Sequence, residues 1–319
     1  MTLFQRVHMP SFERAVGWLN SEPLTPAALR GRVVLVDFWT YTCINWLRTL
    51  PYIRAWAQKY ESDGLVVVGV HTPEFPFEAD ADNVARMVEE LRVHYPVAID
   101  SGYGIWDEFA NSYWPALYLA DREGNLRFDH FGEGHYEETE RAIQDLLGIA
   151  KGELVSVEGP GLEAPADWEQ LDSPETYLGH ARGERFASPG GAAANERRAY
   201  ALPEMLRPNQ WALAGDWTIR QQAVVSEEAG GRLCFRFHAR DVHLVMAPPG
   251  LDSLVPFRVL LDGEPLGASH GEDTDEEGNG LLSEPRLYQL VRQSGAVVDR
   301  AFEITFLEPG AEAYAFTFG

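Results

Sequence analysis

Val33-Val34-Leu35-Val36-Asp37-Phe38-Trp39-Thr40-Tyr41-Thr42-Cys43-Ile44-Asn45-Trp46 decides how the first half of the chain is read. Residues 33–38 form a continuous apolar run broken only by Asp37, the pattern of a strand buried on both faces. Residues 44–60 follow with helical spacing, and Pro51 predicts a kink in that helix because its ring removes a backbone donor. Cys43 thus falls at a helix N-terminus, where unpaired amides and the positive end of the helix dipole favour a thiolate. Three residues on, where a dithiol site needs its second cysteine, stands Trp46. The motif is CxxW, and an indole cannot attack the mixed disulfide that a first thiol forms.

Around this stretch strand and helix signals alternate, as a sheet covered by helices requires. Residues 65–70 and 97–99 read as strands, 80–94 as an amphipathic helix, 116–120 and 126–131 as a hairpin, and 137–147 as a closing helix. An α/β domain over residues 1–150 is expected. Gly, Pro, Ala and Ser then accumulate over 151–203, the composition of a linker and entry segment. Over 204–319 short alternating segments recur between turns, which predicts an all-β sandwich of jelly-roll character.

At 319 residues and 45% hydrophobic, the chain has apolar material for about two domains. Its net charge of −23 argues against nucleic acid and anionic membrane as partners. No apolar run reaches bilayer length and no signal-peptide pattern opens the chain, so a soluble, cytoplasmic protein is expected. The two cysteines, Cys43 and Cys234, exclude a disulfide framework. Nine histidines offer no zinc spacing, so neither metal nor cofactor is expected. The acidic stretch Glu272-Asp273-Thr274-Asp275-Glu276-Glu277-Gly278-Asn279-Gly280 alternates oxygen ligands as calcium loops do, but it lacks EF-hand spacing and reads as a solvated hairpin loop.

Asp37 lies six residues before Cys43 at the end of the buried strand. A desolvated carboxyl there is suited to relay a proton for the thiol, or else simply to bond backbone. A cis Trp114-Pro115 bond before the next strand would set backbone groups beside the thiol as an edge for an extended substrate. His71 and Glu74 follow the second buried strand, from where a loop can approach Cys43. In the second half, Leu233, Phe235 and Phe237 share one strand face and Cys234, Arg236 and His238 the other. That outer face, joined by His243, Arg258 and Tyr288, suits sugar hydroxyls, a protein partner, or packing against the first domain.

Trp18-Leu19-Asn20-Ser21, Leu29 to Trp39, Thr40-Tyr41-Thr42-Cys43, Val68-Gly69-Val70-His71-Thr72-Pro73-Glu74-Phe75, Trp114-Pro115-Ala116 and Gly132-Glu133-Gly134 together resemble the redoxin branch of the thioredoxin superfamily. The resemblance is closest to the thioredoxin-like part of DipZ-type thiol-disulfide proteins. It continues through Gly215-Asp216-Trp217, residues 235–241 and residues 286–291 into a carbohydrate-binding-module-like β-sandwich. It implies Cys43 as nucleophile, Asp37 as proton relay and Pro115 as substrate edge. Trp39, Thr40, Thr42, Trp46, His71, Glu74 and Trp114 then line the site. Thr40 also matches the Thr-x-x-Cys element that orients peroxide in peroxiredoxins, although their upstream Pro is Val36 here. The departure is Trp46, which stands where relatives carry cysteine. A single-cysteine oxidoreductase follows, forming mixed disulfides with client or small thiols or reducing peroxide. Its rival is a non-catalytic module that binds glycan or protein while Trp46 occludes the thiol.

Overall fold

The computed structural model describes residues 7–157, 159–250 and 252–319. The chain divides into two compact units, Met1–Ala164 and Pro165–Gly319.

The first unit is a six-stranded sheet in the order β1-β4-β3-β2-β5-β6. Its strands are β1 (Gly17–Leu19), β2 (Val33–Trp39), β3 (Leu65–His71), β4 (Val97–Ile99), β5 (Ala116–Ala120) and β6 (Leu126–Phe131). β2, β3 and β4 run parallel, whereas β1, β5 and β6 each pair antiparallel with a neighbour. The helices are α1 (Pro26–Leu29), α2 (Ile44–Tyr60), α3 (Ala81–Glu90), α4 (Gly104–Glu108) and α5 (Tyr136–Leu147).

Every residue of β2 is buried, as its unbroken apolar run requires of a strand with neighbours on both edges. α2 runs as one helix from Ile44 to Tyr60 with Pro51 inside it. α3 is capped by Asp80, whose carboxylate accepts the Asp82 amide at 2.9 Å, and it turns Val84, Met87 and Val88 inward.

In the second unit, residues expected to be linker supply two short strands, β7 (Thr176–Tyr177) and β8 (Arg197–Tyr200). Nine more follow: β9 (Trp211–Ile219), β10 (Val224–Ser226), β11 (Gly231–Phe237), β12 (Asp241–Ala247), β13 (Val255–Leu261), β14 (Asn279–Leu282), β15 (Arg286–Arg292), β16 (Arg300–Phe306) and β17 (Glu312–Phe318).

The ladders are antiparallel and link all eleven strands into one sheet in the order β14-β13-β16-β11-β9-β10-β17-β12-β15, with β7 on β17 and β8 on β9. The sheet curls into a half-barrel over a single core. Phe257 of β13 and Tyr288 of β15 lie near opposite ends of the strand order, yet their rings meet edge to face at 6.4 Å. Continuous curling spares the sheet a second set of open edges, which is how one set of β ladders encloses its own apolar face.

Candidate active site

Cys43 is the N-cap residue of α2, and its sulfur lies 3.7 Å from the Trp114 carbonyl oxygen. The strand β2 delivers the chain to this point, and the Thr40 carbonyl accepts the Cys43 amide at 3.2 Å to turn it into the helix. The Trp114-Pro115 bond is cis. Trp114 is held from its other side, its indole donating to the Thr72 carbonyl at 3.1 Å. The thiol itself is half-buried. Cys43, Trp114 and Pro115, read separately from the sequence, are thereby brought together.

Trp46 turns inward. It is fully buried, its ring stacks on Trp39 at 4.1 Å between centroids, and its Nε1 donates to Asp37 Oδ2 at 3.0 Å. Tyr95 donates its hydroxyl to the same oxygen at 3.3 Å. Asp37 has no solvent contact, and burial pushes its carboxyl from 3.8 up to about 7 even though both hydrogen bonds oppose the shift. Its second oxygen, Oδ1, has no hydrogen-bond partner. Gly69 makes this packing feasible, since a Cβ there would lie 2.8 Å from Trp39 Nε1 and 3.0 Å from the Tyr95 ring.

His71 is sealed between aromatic rings, edge-on to Trp39 at 4.7 Å and stacked on Tyr41 at 5.6 Å. Both its ring nitrogens are buried without partners, and burial drives its pKa down to about 3. The imidazole is neutral and supports the aromatic wall rather than facing solvent beside the thiol. Thr40 is equally buried.

One residue that the sequence reading passed over organises the loop before Cys43. Glu78 is fully buried, and its Oε1 accepts both the Thr42 amide at 3.2 Å and the Thr42 hydroxyl at 2.6 Å. Its Oε2 accepts the amides of Glu74 at 2.7 Å and Phe75 at 2.8 Å. Glu74 therefore reaches this network through its backbone amide. Burial raises the Glu78 carboxyl to about 7 against the pull of Thr40, Thr42 and the Phe75 amide. The local signal was a capping-box spacing, an acid three residues after Phe75 with Pro76 between them.

The outer face expected on the second unit is largely self-satisfied. Asp299 takes both Arg236 at 3.5 Å and His238 at 2.7 Å, and Arg258 donates to the Glu277 carbonyl at 3.2 Å. Tyr288 corrects the expectation outright. It belongs to the core, with its hydroxyl donating to the Glu284 carbonyl at 2.8 Å, because its position on β15 faces inward once the sheet curls. His243 is buried as well. Cys234 is buried and lies 3.5 Å from the Glu303 carboxylate; desolvation and that charge push its thiol far above the ordinary range. In the acidic loop, Asp275 caps its own turn through Asn279 and Asp273 binds Arg286. Among the described residues no three His, Cys, Asp or Glu side chains gather where they could hold a metal ion. No described helix is long and apolar enough to cross a membrane.

A parallel-centred sheet, a thiol at the N-cap of its longest helix and a cis-proline beside the sulfur define a thioredoxin-like redoxin. Residues 7–129 match the AhpC/TSA family and residues 173–319 match the thioredoxin-like C-terminal domain family. The chain is a DipZ-like protein, an AhpC/TSA thioredoxin-fold domain followed by that β domain. Protein DipZ of Mycobacterium bovis is 37% identical over 267 residues, covering 80% of this chain and 36% of DipZ. The chain thus spans little more than a third of that relative. NHL repeat-containing protein 2 of Bos taurus is 39% identical over 136 residues, 42% of this chain and 19% of that protein. Thiol-disulfide oxidoreductase YkuV of Bacillus subtilis is 28% identical over 142 residues, 44% of this chain and 95% of YkuV.

Proposed function

We propose that this chain is a single-cysteine thiol-disulfide exchange protein in which Cys43 is the nucleophile. The observation that carries the reading is the division of the CxxW motif: Cys43 keeps partial exposure beside the Trp114 carbonyl, while Trp46 is wholly buried against Trp39 and Asp37. Trp46 fills the space under the helix and leaves the thiol half-exposed, which speaks against a site occluded by the indole.

In the reaction, the Cys43 thiolate attacks one sulfur of a disulfide, a new S–S bond to Cys43 forms, and the other half leaves as a thiolate. No cysteine stands at position 46 to break that bond. A second thiol, from a small molecule or a client protein, must attack the substrate sulfur and expel Cys43 as thiolate. The sum is exchange between thiols, with no net oxidation of the protein. Pro115 and Trp114 supply the substrate edge. Asp37, bonded to Trp46 and Tyr95, keeps the floor of the site in place.

The test is a single-turnover reaction with a chromogenic aromatic disulfide. One equivalent of leaving thiol should appear per chain and none from Cys43→Ser, and after excess reagent is removed the bound half should stay on Cys43 until external thiol is added. Spontaneous release of the bound half, or equal release by Cys43→Ser, would refute the reading.

A further inference from the structure

A groove of about 1190 Å³ opens in the first unit at the end of the sheet away from Cys43. Arg32 immediately precedes β2, residues 65–67 begin β3 and Pro96 precedes β4, so the groove collects the starting ends of the three parallel strands, whereas Cys43 follows the finishing end of β2. Arg32, Arg54, Arg92 and His94 line it, with Glu61 the only acidic side chain on its wall. This concentration is notable in a chain of net charge −23. Acidic proteins gain solubility from spread negative charge, and nothing in that requirement gathers three arginines around one concavity.

The arginines differ in what they already hold. Arg54 is committed, donating to the Leu91 carbonyl at 2.7 Å and to Glu163 at 2.6 Å. Arg32 and Arg92 are exposed, and among the described residues neither pairs with a carboxylate. Tyr95 also lines the groove, is buried, and anchors its hydroxyl on Asp37 Oδ2. Two uncommitted guanidinium forks lining one groove match a ligand with several anionic oxygens, which arginine binds in bidentate fashion.

We propose that this groove is a binding site for a small polyanion, held chiefly by Arg32 and Arg92 and independent of thiol chemistry at Cys43. A groove of this size has ample room for a small molecule. The charge of the rest of the chain excludes a nucleic acid, whose backbone extends well beyond a local basic patch.

Calorimetric titration of the full chain at low salt tests this, with pyrophosphate as the phosphoryl probe and citrate as the carboxylate probe. At least one should bind with one-to-one stoichiometry, and whichever binds tighter names the oxygen chemistry the site prefers. The double variant Arg32→Gln/Arg92→Gln should weaken that binding by about tenfold or more. Glutamine removes the charge while keeping a Cβ and much of the side-chain length, so the backbone at Arg92 (φ 52°) meets no demand that arginine did not make, and both side chains are exposed. Arg197→Gln, which removes an exposed arginine of the second unit, should leave the affinity unchanged. Failure of both probes to bind, or equal binding by the double variant and the parent, overturns the proposal.

Discussion

The indole nitrogen of Trp46 donates to Asp37 Oδ2 at 3.0 Å, so the residue that replaces a second cysteine is hydrogen-bonded to the buried carboxyl beneath the site. That bond ties the end of β2 to the first turn of α2. It also means that restoring a thiol at position 46 removes a structural partner of Asp37 while adding a chemical one.

Trp46→Cys should gain insulin disulfide reduction over the parent, because a resolving thiol would stand one turn along the helix from Cys43. The same change deletes a buried indole stacked on Trp39, which costs roughly 3–5 kcal/mol by analogy with large-to-small core substitutions. Turbidity of reduced insulin and the urea midpoint measure the two effects, with Trp46→Ala as the variant that is destabilised without gaining activity. A stable, folded Trp46→Cys with no added activity would place the defect in the surrounding site.

Asp37 makes stability depend on pH in a direction opposite to that of an ion-paired carboxylate. Its folded pKa of about 7 exceeds its ordinary 3.8, so between these values the folded state holds a proton that the unfolded state releases. Its contribution is fully present below about pH 4 and is lost as pH rises toward 7. The shift corresponds to at most ~4 kcal/mol. Asp37→Asn should flatten that decline, measured as the difference in unfolding free energy between pH 4.5 and 7.5 in urea titrations. Parallel pH profiles for variant and parent would contradict the burial-driven shift. The absolute stability of the variant should fall, since the new amide NH₂ has no partner where Oδ1 lacks one.

Glu78→Gln tests the four hydrogen bonds that hold the loop before Cys43. A glutamine can accept the Thr42 amide and hydroxyl, but its NH₂ then faces the amide donors of Glu74 and Phe75. Two buried donors lose their acceptor, at a cost of about 2–4 kcal/mol. Amide exchange at Glu74 and Phe75 should accelerate by more than exchange in β3, and Cys43 alkylation should change rate while Cys234 remains unreactive. Unaltered exchange at those amides would show that Glu78 does not position the loop.

Much of the first unit was legible because its signals are local. The unbroken apolar run of β2, the thiol at the helix start and Trp114-Pro115 each lie within a few adjacent residues. Glu78 escaped notice because its role exists only where residues 42, 74 and 75 converge, a relation set by packing of two loops. Tyr95 escaped for the same reason, since its partner Asp37 is 58 residues away. On β15 the alternation was readable, but which parity faces inward depends on how the sheet curls, so Tyr288 was placed on the wrong side. Over 151–203 the accumulated Gly, Pro, Ala and Ser read as a linker and entry segment, yet strands as short as β7 and β8 fit within such a composition.

The central claim is that Cys43 alone reacts and has no internal thiol to resolve it. Brief treatment of the folded protein with oxidised glutathione, followed by intact mass and non-reducing peptide mapping, tests it most directly. The account predicts one glutathione per chain, located on Cys43, stable until thiol is added, with Cys234 unmodified behind its burial and the Glu303 charge. An adduct on Cys234, a Cys43 to Cys234 disulfide, or no adduct at all would contradict it.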